Sequence, residues 1–100
     1  MYIRMLEFET IGSRRAEAID IIDAVVPKIM SQKGCNDCLI MMHDSDNHYA
    51  LLVFWDSEQS ANEAASIVGP QLLPALNRIT TKPVVPRLYE VHRPQTVPVV

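Results

Sequence analysis

Residues 49–58 read Tyr-Ala-Leu-Leu-Val-Phe-Trp-Asp-Ser-Glu, and the first seven side chains carry no charge. A short run this dense in branched and aromatic residues predicts a strand over 49–55, buried on both faces. Asp56 or Ser57 then offers an N-cap, and Gln59 stands three past Asp56 as in a capping box. A central strand therefore ends on Trp55 and a helix starts at once.

The same strand-to-helix logic extends outward. Residues 2–10 alternate, with Tyr2, Arg4, Leu6 and Phe8 on one face and Ile3, Met5, Glu7 and Glu9 on the other. Ser13 is a fair N-cap for a helix over 14–32, whose stripe of Ala18, Ile22, Val25 and Ile29 faces inward. Pro27 projects from its polar side, and Gly34 ends it. Residues 38–44 predict a second strand, and Ser45, Asp46, Asn47 and His48 a polar hairpin loop. Beyond Trp55, a helix over 57–68 holds Ala61, Ala64, Ala65 and Val68. Gly69-Pro70 is a stop and a new start, opening a further short helix with Leu72, Leu73, Leu76 and Ile79. Residues 87–92 alternate as a fourth strand.

This βαββαβ order is that of the ferredoxin-like α+β arrangement, an antiparallel sheet with helices on one face. Residues 1–93 make one domain, with 94–100 an extended tail. The strands are apolar on both faces, so a lone subunit leaves one face of the sheet wet. Two copies laid sheet against sheet would cover it, forming a dimeric α+β barrel; a homodimer is expected.

Composition narrows the partners. The chain has 100 residues, 48% of them hydrophobic, and a net charge of -3 without a basic cluster. Nucleic-acid phosphates call for the opposite balance, so no nucleic-acid partner is expected. No apolar run is long enough to span a bilayer and no leader pattern opens the chain, which predicts no membrane partner and a cytoplasmic setting. Two cysteines fit a reducing compartment better than a disulfide scaffold.

The first strand Tyr-Ile-Arg-Met-Leu-Glu-Phe, the Val-Val-Pro of the first helix, the Gly34-Cys35 turn, the run Phe54 to Ser60 and the closing Arg-Leu-Tyr-Glu-Val resemble a known family. They are similar to antibiotic biosynthesis monooxygenase-like (ABM-type) domains of the dimeric α+β barrel superfamily. That resemblance implies a small ligand seated between sheet and helices. It also implies, for some members, cofactor-free oxygenation of polyketide-like phenols, with no metal or cofactor required. Haem-degrading members use an Asn on the first strand, a Trp ending the third and a His on the second helix. Only Trp55 matches, so haem oxygenation is not expected.

Trp55 is the first candidate site residue, able to stack on a planar ligand and donate one hydrogen bond. His43 or Tyr89 would serve as hydrogen-bonding or proton-relay group, and Arg87 or Arg4 as anion stabiliser. Cys35 and Cys38 have C-x-x-C spacing but follow a helix rather than open one, which predicts two plain thiols. The expectation is thus an ABM-like monooxygenase of a small aromatic substrate. The alternative is a non-catalytic barrel that binds a small ligand or serves in stress.

Overall fold

A computed structural model describes residues 1–95; Val97, Val99 and Val100, the apolar end of the expected tail, lie outside it. Its elements are β1 (Tyr2–Glu9), α1 (Arg15–Met30), β2 (Cys35–His43), β3 (His48–Trp55), α2 (Glu58–Asn77) and β4 (Arg87–Glu90), with a 3-10 turn at Asp44–Asp46. The strands lie in the order β2-β3-β1-β4, every neighbouring pair antiparallel. This is the ferredoxin-like fold.

The uncharged run at β3 becomes a central strand, paired over its whole length with β1 and β2. Residues directly opposite share a face, so the register sorts every side chain. One face carries Leu6, Phe8, Tyr49, Leu51, Val53 and Trp55, all buried under the helices. There Phe8 and Tyr49 stack with ring centroids 5.2 Å apart. From α1, Ala18, Ile22, Val25 and Ile29 close the core, as their spacing requires. The other face carries Ile3, Met5, Glu7 and Glu9 of β1 beside Leu39, Met41, Leu52 and Phe54, and no helix among the described residues covers it.

Five expectations are corrected. Ser13 does not cap α1; Arg14 holds that position without a side-chain cap bond. The cap of α2 is Ser57, whose Oγ accepts from the Ser60 amide at 3.1 Å. Gln59 instead donates to Glu63 one turn on, so no capping box forms. Most instructive, Gly69-Pro70 does not divide a helix: α2 runs unbroken to Asn77 and includes Pro70 and Pro74. A proline crowds the Cβ of the residue before it, and Gly69 has none. The buried stripe Ala61, Ala64, Val68, Leu72, Leu76 continues at helical spacing across the junction, so burial outweighs the lost backbone bond. Finally, β2 begins at Cys35 rather than at 38, and His48 opens β3 instead of lying in the loop.

Candidate functional site

Arg4 of β1 pairs with Val53, and Trp55 at the end of β3 pairs with Tyr2. The two are therefore diagonal neighbours on the helix-covered face. Between them and α2 lies a cavity of about 90 Å³. Its size follows from the small residues of α2, since Ala61, Ala64 and Gly69 leave space where larger side chains would meet Leu51 and Val53 of the sheet. Ala65, exposed, and Pro86 stand at its border.

The lining is almost wholly apolar, and the side chains Arg4 and Trp55 that border it carry donors only. The Trp55 ring is 3% exposed, and its Nε1–H is buried without an acceptor. Arg4 Nε–H is likewise buried and unpartnered. At its other end the Arg4 guanidinium donates to Asn62 Oδ1 at 2.9 Å, a neutral partner on α2. Burial pulls the Arg4 pKa below its usual value, the direction expected for a cation taken out of water with no carboxylate to balance it. No Asp, Glu or His lines this cavity. Buried donors in native proteins nearly always find partners, so two orphans on side chains that line one chamber call for an explanation.

The corner that holds Trp55 is tightly built. Asp56 donates its amide to Gly34 O at 2.9 Å, tying the end of β3 to the turn after α1. Gly34 has φ +83°, and a Cβ there would stand 2.4 Å from Asp56 Oδ1 and 2.6 Å from Ser60 Oγ. Only glycine meets both the backbone angle and the space.

Of the other candidates, none reaches this chamber. His43 pairs with His48, Tyr89 with Ile3 and Arg87 with Met5, so all three lie on the helix-free face. His43 is exposed and bonded through Nδ1 to Asp46 Oδ1 at 3.0 Å. Tyr89 is 43% exposed. Arg87 borders a broader hollow of about 370 Å³ on that face, with Glu7, Glu9, His48 and Lys82. This larger hollow mixes both charges and holds no orphaned buried group, so the smaller chamber is the better site.

A bulge between Cys35 and Asp37 lets Cys35 pair with Trp55 and Cys38 with Val53. Both thiols thus lie on the covered face, against the core. Burial, then the neighbouring Cys35 and Asp37, pushes the Cys38 thiol up to about 11. Neither forms a disulfide. No group of three or more His, Cys, Asp or Glu side chains could hold a metal ion among the described residues.

No protein-family model matches the chain, and no curated protein matches it. Solved structures do. A cofactor-independent oxygenase from Streptomyces nogalater, SnoaB, superposes with a TM-score of 0.73 at 22% identity, covering 98% of this chain and 97% of the other. An antibiotic biosynthesis monooxygenase gives 0.73 at 13% identity, covering 93% and 100%. The chain has the ABM-like fold. A conserved protein from Methanosarcina mazei Go1 shares this ABM-like fold with a TM-score of 0.76 at 15% identity, over 89% of this chain and 91% of the other. Identities this low carry the fold and leave the chemistry to the site. In addition, no helix among the described residues is long and apolar enough to cross a membrane.

Proposed function

We propose that this protein is a cofactor-free oxygenase of a small aromatic substrate, working as a homodimer with one chamber under the helices of each subunit. The observation that carries it is the pair of orphaned donors, Arg4 Nε–H and Trp55 Nε1–H, on two side chains that line an otherwise apolar cavity. Structural likeness to an oxygenase named as cofactor-independent supports the same reading. In such chemistry the ionised substrate gives one electron to dioxygen. The substrate radical and superoxide combine at a ring carbon that carries hydrogen. The peroxide takes back from solvent the proton that the substrate gave up on ionising, the carbon's hydrogen leaves as the O–O bond breaks, and water is lost. A phenol's ring C–H and O–H with one O₂ thus become a quinone's two C=O groups and one H₂O. The chain's residues supply orientation and fixed positive potential: the edge of Trp55 and the Arg4 guanidinium bring two N–H groups toward the oxygen where charge resides. An apolar lining strengthens the electrostatic effect.

In this reading His43, Arg87 and Tyr89 belong to the seam between copies. The helix-free face presents Leu39 at 40% and Met41 at 52% exposure, and a two-fold partner would cover them. Glu7 and Glu9 would then meet arginines of the second copy.

Oxygen uptake with a panel of phenols tests the activity. The expected outcome is one O₂ consumed per substrate, falling at least about tenfold in Trp55→Phe, the loss typical of a removed orienting or hydrogen-bonding group. Uptake no faster than in that variant would count against turnover. The non-catalytic reading is favoured by one feature, the want of any base in the lining; saturable binding without uptake would establish it.

A further inference from the structure

We infer that the ligand of the Trp55 chamber is a one-ring organic anion, a phenolate or an aromatic carboxylate, whose charged oxygen is held between Arg4 Nε–H and Trp55 Nε1–H. The claim rests on reading this chamber as the functional site and adds the class of molecule it takes.

Size comes first. A cavity of about 150 Å³ holds benzene in a protein core, and this one measures about 90 Å³ with an open border. One ring fits if its edge projects past Ala65 and Pro86; a fused three-ring system does not. Charge comes second. Arg4 is a half-buried cation whose bonded partner, Asn62, is neutral, and it takes part in none of the ion pairs among the described residues. Burial takes part of the hydration from this cation, and an anion beside it would restore the balance. Donor count comes third. Two donors without an acceptor suit an oxygen that only accepts, and an ionised oxygen has lone pairs for both. A neutral phenol or amide would bring its own N–H or O–H into a lining with nothing to receive it. With no base in the chamber, the ligand must also enter already ionised. The net charge of -3 makes general attraction of anions to the surface an inadequate substitute for this site.

Trp55 is the only tryptophan, so its fluorescence reports the chamber directly. At pH 8 and fixed salt the protein is titrated with benzoate, with benzamide as the neutral isostere, and with anthracene-9-carboxylate as the three-ring anion. Benzoate should bind with a Kd at least about tenfold below that of benzamide, in keeping with a charge-assisted pair. The three-ring acid should not quench over the same range. Arg4→Met should erase the preference for benzoate, Arg4→Lys should recover part of it, and Asn62→Ala, at the exposed rim, should keep it. Thermal melts establish that each variant folds, and Arg4→Lys carries the test if Arg4→Met does not. Equal binding of benzoate and benzamide, a preference that survives in Arg4→Met, or no quenching by any probe overturns the anion. Tight binding of anthracene-9-carboxylate overturns the one-ring limit. Benzoate gives no electron to oxygen, so its binding is read apart from turnover. Selective binding without oxygen uptake from any phenol leaves this inference standing and removes the oxygenase.

Discussion

Arg4 and Arg87 stand on adjacent strands of one sheet and face opposite ways. Arg4 pairs with Leu88, whereas Arg87 pairs with Met5, one step along. That single step of parity decides everything about them. Arg4 enters an apolar chamber, keeps one neutral partner and leaves its Nε–H orphaned. Arg87 lies exposed beside Glu7, Glu9 and Lys82, where water and mixed charge absorb it. A charged residue therefore signals a ligand only on the covered face, because only there is its hydration lost.

The strongest test of this contrast replaces a leucine on each face. Leu51 is fully buried and floors the chamber, so Leu51→Ala should lower stability by about 2–5 kcal/mol. Leu39 is 40% exposed, and Leu39→Ala should change the isolated subunit by only about 0.5 kcal/mol. Urea melts at low protein concentration measure both. Similar losses at the two sites would mean that the two faces are covered alike.

How much of this was legible in the sequence differs from strand to strand. In β1 the parity is plain, since Glu7 and Glu9 cannot share a buried face with Leu6 and Phe8. It also put Arg4 on the inner face, a placement easily discounted because an inward arginine looks like an error of phase. In β2 no such marker exists: Leu39 and Met41 alternate with Ile40 and Met42, and either set could have been core. The bulge before Asp37 then shifts the phase of anything counted from the Gly34 turn. His43 could not be assigned a face on those grounds. In β4, Arg-Leu-Tyr-Glu gives each face one polar and one apolar side chain, so Arg87 and Tyr89 were equally open. Trp55 was readable because it ends the run that defines the fold. The two-prolined α2 was misread because local stop signals were weighed without the stripe that crosses them.

A smaller loss tests the corner that holds Trp55. Gly34→Ala forces a Cβ into a backbone at φ +83° and against Asp56 and Ser60. Strain of this kind costs about 1–3 kcal/mol. Its melting temperature should fall by roughly 4–20 °C, and the displaced indole should shift the emission of Trp55. A melt like the wild type's would show that the corner yields freely and that the chamber is not held fixed from that side.

Leu39→Asp asks what covers the helix-free face. If two copies close over it, a charge at that point should favour the monomer by about tenfold or more in dissociation constant, by analogy with a charge left unpaired at an interface. Light scattering across a dilution series reads the change, with the wild type as dimer. A wild type that is monomeric at every concentration would end the case for the barrel, while the chamber beside Trp55 would remain.

Cys38 tests how dry the covered face is without touching either arginine. Its thiol is raised to about 11 by burial, Cys35 and Asp37, against an ordinary cysteine near 8.5. Because the folded state resists ionisation, the unfolded chain loses its proton first as pH rises. The stabilising contribution is complete below about pH 8.5 and is lost toward about 11. In Cys38→Ser that part of the alkaline decline should disappear. Alkylation of Cys38 should be slow at pH 8 and accelerate only at higher pH. Fast labelling at pH 8 would mean that water reaches this face freely.

The smallest effect belongs to a third arginine. Arg15 donates to Asp44, with side chains 49% and 60% exposed. Both partners keep most of their hydration, salt screens them, and two long side chains must be held in one geometry. Asp44→Ala should therefore shift stability by no more than about 0.5 kcal/mol, or roughly 2–4 °C in the melt, and less in high salt. Arg15 has a carboxylate and gains little from it, whereas Arg4 has none and stands where one would matter. If Asp44→Ala instead destabilised as much as an unpaired buried charge does, exposure would be a poor guide to the worth of a charge in this protein. The case for an anion at Arg4 would weaken with it.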